Sequence, residues 1–187
     1  EGRFLHMNQG ELYVYSPDGG IAGLDTIKIE AGRFSYEKPC SKPSTLIIIF
    51  PNYSTQPIFA ESGEAVEVKA DASHLKEMEV EGTEDNELMT KFRKQIASVS
   101  PPEEVKYAIA FIKDHPESAV SAYLLNRYLV QTESPDYKQA AKLLPLLIKE
   151  QPDNATLGRL QRHLSELGSL PFGSKLPKFS AKDVNGK

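Results

Sequence analysis

The sequence predicts an α+β protein in which an antiparallel β module is followed by a helical segment of about five helices. Three observations carry this. From Leu12 to about Val80 apolar residues alternate with polar ones and are broken up by turn residues, which is the period-two signature of half-buried strands. After Gly82 the apolar spacing changes to that of a helix face. The strands come as one block and the helices as another, so the chain reads as an antiparallel sandwich or partly open barrel rather than an alternating β/α fold. The resulting boundaries are 1–82 for the β module, 83–168 for the helices and 169–187 for a linker-like closing segment.

Leu12-Tyr13-Val14-Tyr15 is the first strand, closed by Ser16-Pro17-Asp18-Gly19-Gly20 as a turn. Leu24 to Ile29 alternates, with Leu24, Thr26 and Lys28 on one face and Asp25, Ile27 and Ile29 on the other. Ala31-Gly32 reverses the chain into Arg33-Phe34-Ser35-Tyr36, and the two runs read as a hairpin. Thr45 to Phe50 is continuously apolar and β-branched, as suits a strand covered on both faces. Pro57 to Ala60, Ala65 to Lys69 and Met78 to Gly82 complete the module.

The first helix starts near Thr83 as N-cap, with Leu88, Met89, Phe92, Ile96 and Val99 as its stripe. Ser100-Pro101-Pro102-Glu103 is a strong second start: Ser caps, Pro fits the first turn, and Glu can complete a capping box. Val105, Ala108, Ile109 and Ile112 face inward on it. A third helix after His115-Pro116 carries Val120, Tyr123, Leu124 and Tyr128. Ser134-Pro135 opens a fourth with Tyr137, Ala140, Ala141, Leu144 and Ile148, in which Pro145 should kink or divide the helix. Asn154 caps a fifth bearing Leu157, Leu160, Leu164 and Leu167, with Gly168 as its stop. Ile112 to Ala119 aligns with Ile148 to Ala155 at an offset of 36. Two readings fit that alignment: a pair of tetratricopeptide-like helical hairpins, or two helix pairs joined by similar Pro turns.

The chain has 187 residues and a net charge of −4. That balance gives no reason to expect a nucleic-acid partner. The longest apolar run, Leu46 to Phe50, is far shorter than a membrane span. The abrupt start at Glu1, without Met, reads as a trimmed chain.

A single cysteine, Cys40, provides neither an intrachain disulfide nor a C-x-x-C pair. Lys38 and Lys42 beside it would favour a thiolate, although an incidental thiol is the simpler reading. His6, His74, His115 and His163 have no metal-ligand spacing, and His115 reads as a cation at a helix end. Asp71-Ala-Ser-His74 holds hydrolase-type residues in one local turn, without a nucleophile elbow. Glu77, Glu79, Glu81, Glu84, Asp85 and Glu87 lack calcium-loop spacing and read as a solvated face. Tyr13, Tyr15, Tyr36, Tyr53 and Phe59 could form an aromatic patch or pack in the sheet. No catalytic, cofactor-binding or metal-binding residue is assigned, and no cofactor is expected.

Two resemblances add to this reading. Gly173 to Lys187 carries Leu176-Pro177, Phe179, Asp183 and Asn185-Gly186-Lys187, an extended entry and a tight turn. This resembles the opening of a thioredoxin-like domain of the alkyl hydroperoxide reductase/thiol-specific antioxidant class, G-x-x-x-P-x-F followed by D-x-x-G-K. Asp25-Thr26, Gly32-Arg33-Phe34, Glu61-x-Gly63-Glu64 and Val80-x-Gly82-Thr83-x-x-Asn86 occur in order. Over about residues 1–100 these are similar to the domain of unknown function in front of the thioredoxin-like domain of envelope thiol:disulfide interchange proteins of Gram-negative bacteria, with its first strand truncated.

The resemblance implies a non-catalytic module that positions, dimerises or selects substrate for a downstream C-x-x-C domain. Its partners would be that domain, protein substrates or a second copy. It also implies a periplasmic or envelope setting, with a lipid anchor as one form of attachment. A peptide-binding adaptor built on the helical hairpins is the alternative from another class. A carbohydrate-binding β module is a third, resting on the tyrosines alone.

Overall fold

The computed structural model describes residues 1–169; the Gly173–Lys187 motif and most of the predicted closing segment lie outside them. The chain is α+β, and its described residues form an eight-stranded, nearly closed barrel-like sheet followed by five α-helices. The strands are β1 (Gly2–Leu5), β2 (Gln9–Tyr15), β3 (Asp25–Glu30), β4 (Arg33–Phe34), β5 (Ser44–Ile49), β6 (Thr55–Ala60), β7 (Glu67–Asp71) and β8 (Glu79–Glu81). Their order in the sheet is β6-β5-β2-β3-β4-β1-β7-β8. All pairs are antiparallel except β1 with β7, which run parallel from Gly2 opposite Val68 to Leu5 opposite Asp71.

The alternation does what it predicts in β2 and β3. Leu12 and Val14 point inward opposite Ile27 and Asp25, while Tyr13 and Tyr15 face out. The β3–β4 hairpin exists but pairs only Glu30 with Arg33; the long partner of β3 is β2. β1 is not anticipated by the sequence pattern. Phe4 is its one buried side chain, so it offers no alternation to detect. Phe4 meets Phe50 edge to face inside the barrel, with centroids 6.0 Å apart.

Two landmark glycines have steric reasons. Gly82 has φ of +111°, and a Cβ there would lie 2.1 Å from the Ala65 carbonyl oxygen, so β8 can approach the start of β7 only with glycine. Gly32 has φ of +71° and accepts from the Phe4 amide, which ties β1 to the β3–β4 turn. The β2–β3 turn is fixed by side chains. Ser16 Oγ lies within hydrogen-bonding reach of both Asp18 and the Thr45 carbonyl, either of which can take its one proton, and Asp18 Oδ2 accepts from the Thr45 amide at 2.7 Å, so the turn is stitched to β5.

The helices are α1 (Glu84–Ile96), α2 (Pro101–Asp114), α3 (Ala119–Leu125), α4 (Tyr137–Glu150) and α5 (Ala155–Ser169). A π-helical stretch, Asn126–Val130, extends α3. Thr83 caps α1 by accepting from the Asn86 amide, and Asn154 caps α5 by accepting from Thr156 and Leu157. Ser100 departs from the expected box. With Pro101 and Pro102 at the first two helical positions, its hydroxyl turns to the Glu103 carboxylate at 3.0 Å instead.

Several other expectations are corrected. Val99 lies beyond α1. α4 begins at Tyr137 with Asp136 as cap, not at Ser134, and it runs through Pro145 without dividing. Its buried stripe is Ala140, Leu143, Leu144 and Leu147, while Tyr137 and Ala141 are exposed. The run of four leucines around Pro145 supports more than one helical stripe, and packing selects this one. Gly168 lies within α5 rather than past its end.

The sequence repeat has a structural counterpart. His115 and Gln151 end α2 and α4 with nearly the same backbone, φ/ψ of −131°/59° and −131°/62°. Each amide returns to the carbonyl four residues back. Gln151 then donates to the Pro116 and Ser118 carbonyls, so one turn is hydrogen-bonded to the other. Ser118 and Asn154 cap the following helices in turn.

Two apolar clusters result, one inside the barrel and one among the helices. β6 contributes to both: Ile58 packs inside the barrel and Phe59 among the helices. α1 closes the opening of the sheet. β6 and β8 are its edge strands, and edge backbones need partners. Asn86 pairs with Phe59 as a neighbouring strand would: its Oδ1 accepts from the Phe59 amide at 2.9 Å, and its Nδ2 donates to the Phe59 carbonyl at 2.7 Å. Thr90 Oγ1 does the same for Val80, both bonds being 2.9 Å.

Arg93, 3% exposed, spans the two edges. It donates to Gln56 Oε1, to the Pro57 carbonyl on β6 and to the Met78 carbonyl beside β8. Burial lowers its pKa to about 10, so the side chain stays charged at neutral pH. Pro57 sits on an edge strand, one of the placements that tolerate proline, and its missing amide leaves only its carbonyl to be paired there.

Candidate functional site

A cleft of about 510 Å³ opens between the outer face of the sheet and the concave side of the helices. One wall comes from the strands: Tyr15 of β2, Thr45 and Ile47 of β5, and Thr55 of β6. The other comes from α3, the π-helical stretch and α5, through Tyr123, Asn126, Arg127, Val130, Arg159 and His163. The apolar run of β5 explains the first wall. Ile48 points into the barrel, which leaves Ile47 on the outer face under the helices. The second wall follows from the paired turns, which set α3 beside α5.

The cleft's electrostatics are one-sided. Arg127, Arg159 and His163 line it, and no Asp or Glu does. Among the described residues neither arginine takes part in an ion pair. Arg127 lies 5.7 Å from the ring centroid of its neighbour Tyr128, and Arg159 donates to Thr156 Oγ1 at 3.2 Å. Tyr123 is held above the usual phenol range by burial, with Arg127 and Arg93 pulling the other way and Tyr15 adding to the rise. Its hydroxyl therefore sits in the field of two guanidinium groups. A second groove of about 490 Å³ between α4 and α5 is lined by Ala141, Leu144, Pro145, Ile148 and Leu164, among others, and has no arginine.

The residues singled out in the sequence do not converge. Cys40 Sγ donates to the Lys42 carbonyl at 2.8 Å, and Lys38 is bound to Asp25 at 2.8 Å rather than serving the thiol. Asp71 accepts from His6 and from the Ser73 amide, both at 2.8 Å, and these hold its carboxyl at about 2. His74 lies 3.7 Å from the other Asp71 oxygen. His115 ends α2, stacked near Phe111 with its Nδ1 3.5 Å from Glu117.

The acidic run is split among separate partners. Glu79 pairs with Lys94 and Glu81 with Lys69. Asp85 is turned inward to Ser118 at 2.5 Å; burial raises its pKa against that bond and one from the Ala119 amide. Among the described residues there is no group of three or more His, Cys, Asp or Glu that could hold a metal ion.

The aromatic set is divided too. Phe59 is buried among the helices, and Tyr36 donates to Asp25. That phenol is pushed up to about 12, mainly by burial and then by the carboxylate. Tyr13 and Tyr15 stand side by side on the outer face of β2, and Tyr15 alone of the five lines the cleft. Arg127 and Arg159 were not singled out by sequence reasoning. They lie 32 residues apart on different helices, and only the turn repeat hints that those helices face one another.

Residues 1–89 match the family model described as a domain of unknown function (DUF4369), a span that takes in all eight strands and α1 as far as Met89. No curated protein and no solved structure matched the chain.

Proposed function

We propose that this molecule is a non-catalytic module that precedes a thioredoxin-like thiol-disulfide oxidoreductase domain, in an envelope setting, and holds or selects substrate for it. The observation that carries the reading is the order of segments. A domain of unknown function comes first, then helices, then Leu176-Pro177-x-Phe179 and Asp183-x-x-Gly186-Lys187, which resemble the opening of such a domain. In that partner a low-pKa thiolate would attack a disulfide and be released by its neighbouring cysteine. The roles open to residues 1–169 are then positioning that domain, dimerising it or selecting its substrate, and a fold in which α1 joins both edges of the sheet through Asn86, Thr90 and Arg93 supports such a role.

An insulin-reduction assay tests this with residues 1–187 beside the product of the whole gene. Reduction by the longer product alone is the expected result. Reduction by residues 1–187, or a gene product with no C-x-x-C pair after Lys187, overturns it.

A further inference from the structure

We infer that the cleft between the sheet and the helices binds a short acidic peptide segment, with carboxylates held by Arg127 and Arg159 and an apolar side chain seated between Ile47, Val130 and Leu160. The inference goes beyond the proposed function and stands on the cleft alone.

Charge complementarity names the ligand's sign. Arg127, Arg159 and His163 all line the cleft and no carboxylate does, in a chain whose net charge is −4. Guanidinium groups bind carboxylates through paired, charge-assisted hydrogen bonds. Neither arginine has a carboxylate partner among the described residues.

The remaining lining argues for a peptide rather than a bare anion. Asn126 and Gln131 line the cleft, and neither side chain is hydrogen-bonded among the described residues. A primary amide both donates and accepts, and so matches a peptide group. Asn154, by contrast, is spent on its own helix cap and on Gln151. Ile47, Val130 and Leu160 give an apolar floor, and Tyr15 and Tyr123 give aromatic sides. A small anion would leave that apolar surface unused. The closing segment is a poor occupant, since residues 170–187 carry four lysines and one aspartate.

The test uses residues 1–187 and three fluorescein-labelled pentapeptides, followed by fluorescence anisotropy at low salt. The acidic probe is Glu-Leu-Asp-Leu-Glu, the neutral one Gln-Leu-Asn-Leu-Gln and the basic one Lys-Leu-Lys-Leu-Lys. The acidic peptide is expected to bind at least about tenfold more tightly than the neutral one, as two charge-assisted contacts allow. The basic peptide should bind least. Affinity for the acidic peptide should fall by about tenfold in Arg127→Ala or Arg159→Ala and stay unchanged in Arg162→Ala, a control outside the cleft lining.

All three positions are exposed, and circular dichroism confirms that each variant folds. Equal affinity for acidic and neutral peptides overturns the proposal, as does no binding at millimolar peptide. An acidic-peptide affinity indifferent to both cleft variants also overturns it. Inorganic phosphate that competes at equal concentration would show a simple anion site and overturn the peptide assignment.

Discussion

The interior of the barrel and the seam along α1 are built from opposite materials. Inside, Leu12, Val14, Ile27, Ile29 and Phe50 pack side chain to side chain, and the stabilisation scales with apolar area, about 25 cal/mol per Å². At the seam, Asn86, Thr90 and Arg93 hydrogen-bond the backbone of the two edge strands. The difference teaches where polar residues belong in a core. They are placed where secondary structure leaves buried backbone groups without partners, and there an apolar substitute would cost more than it gains.

The sharpest way to break the comparison is Arg93→Met. Methionine preserves much of the volume but leaves the Pro57 and Met78 carbonyls and Gln56 without a donor. A loss of about 3 kcal/mol in urea denaturation is expected. A loss under about 1 kcal/mol would mean that the seam behaves like the interior.

Asn86→Ala should follow at about 2 kcal/mol, since it strips both groups of Phe59 and disturbs the Thr83 cap. Hydrogen exchange at the Phe59 amide should accelerate well beyond that at the Leu46 amide on β5. Thr90→Val is nearly isosteric and should cost about 1–2 kcal/mol through Val80 alone. Ile29→Val in the interior serves as its apolar counterpart, at about 1 kcal/mol.

The smallest effect concerns Asp85, at the junction of α1 and α3. Its pKa is raised on folding, so the folded chain holds the proton more tightly. Stability therefore falls as pH climbs through the window that starts at the unfolded value near 4 and ends at the folded one. Asp85→Asn should remove that slope and change stability at pH 7 by no more than about 1 kcal/mol. Asp71 has the opposite sign. Its pKa is depressed to about 2, so its contribution is present above the unfolded value and is lost as pH falls toward 2. Urea titrations from pH 2 to 7 on both proteins would separate the two carboxylates; an unchanged slope in the Asp85 variant removes the claim.

Much of the fold could be read from the sequence because one physical rule acts locally there. Ile27 and Ile29 alternate with Thr26, Lys28 and Glu30, and Thr83 and Asn154 cap the helices that they precede. What could not be read depends on contacts far apart in the chain. β1 contributes a single inward Phe4 and pairs with residues 68–71, so its identity as a strand is decided by a partner it cannot announce. Asn86 was visible only as a landmark. Its meaning requires Phe59, an edge residue 27 positions earlier. A signal existed nonetheless: Asn86 and Arg93 fall in line with Met89 and Phe92, on the buried face of a helix. The cleft was less legible still, because Ile47, Arg127 and Arg159 share no periodicity and meet only through topology.

The parallel pairing of β1 with β7 has a consequence for the order of assembly. β1 lies between β4 and β7, and its outer partner stands 66 residues further along, counting from Gly2 to Val68. Closing a loop of that size costs entropy before any contact is formed. The hairpins β2–β3 and β5–β6 are local and carry a smaller closure cost, so they are expected to form first, with β1 docking once β7 has arrived. The first of these eight strands in chain order is thus among the last to take its place, and α1 completes the seal after it. In stopped-flow refolding, probes at Phe4 should report later than probes at Leu12.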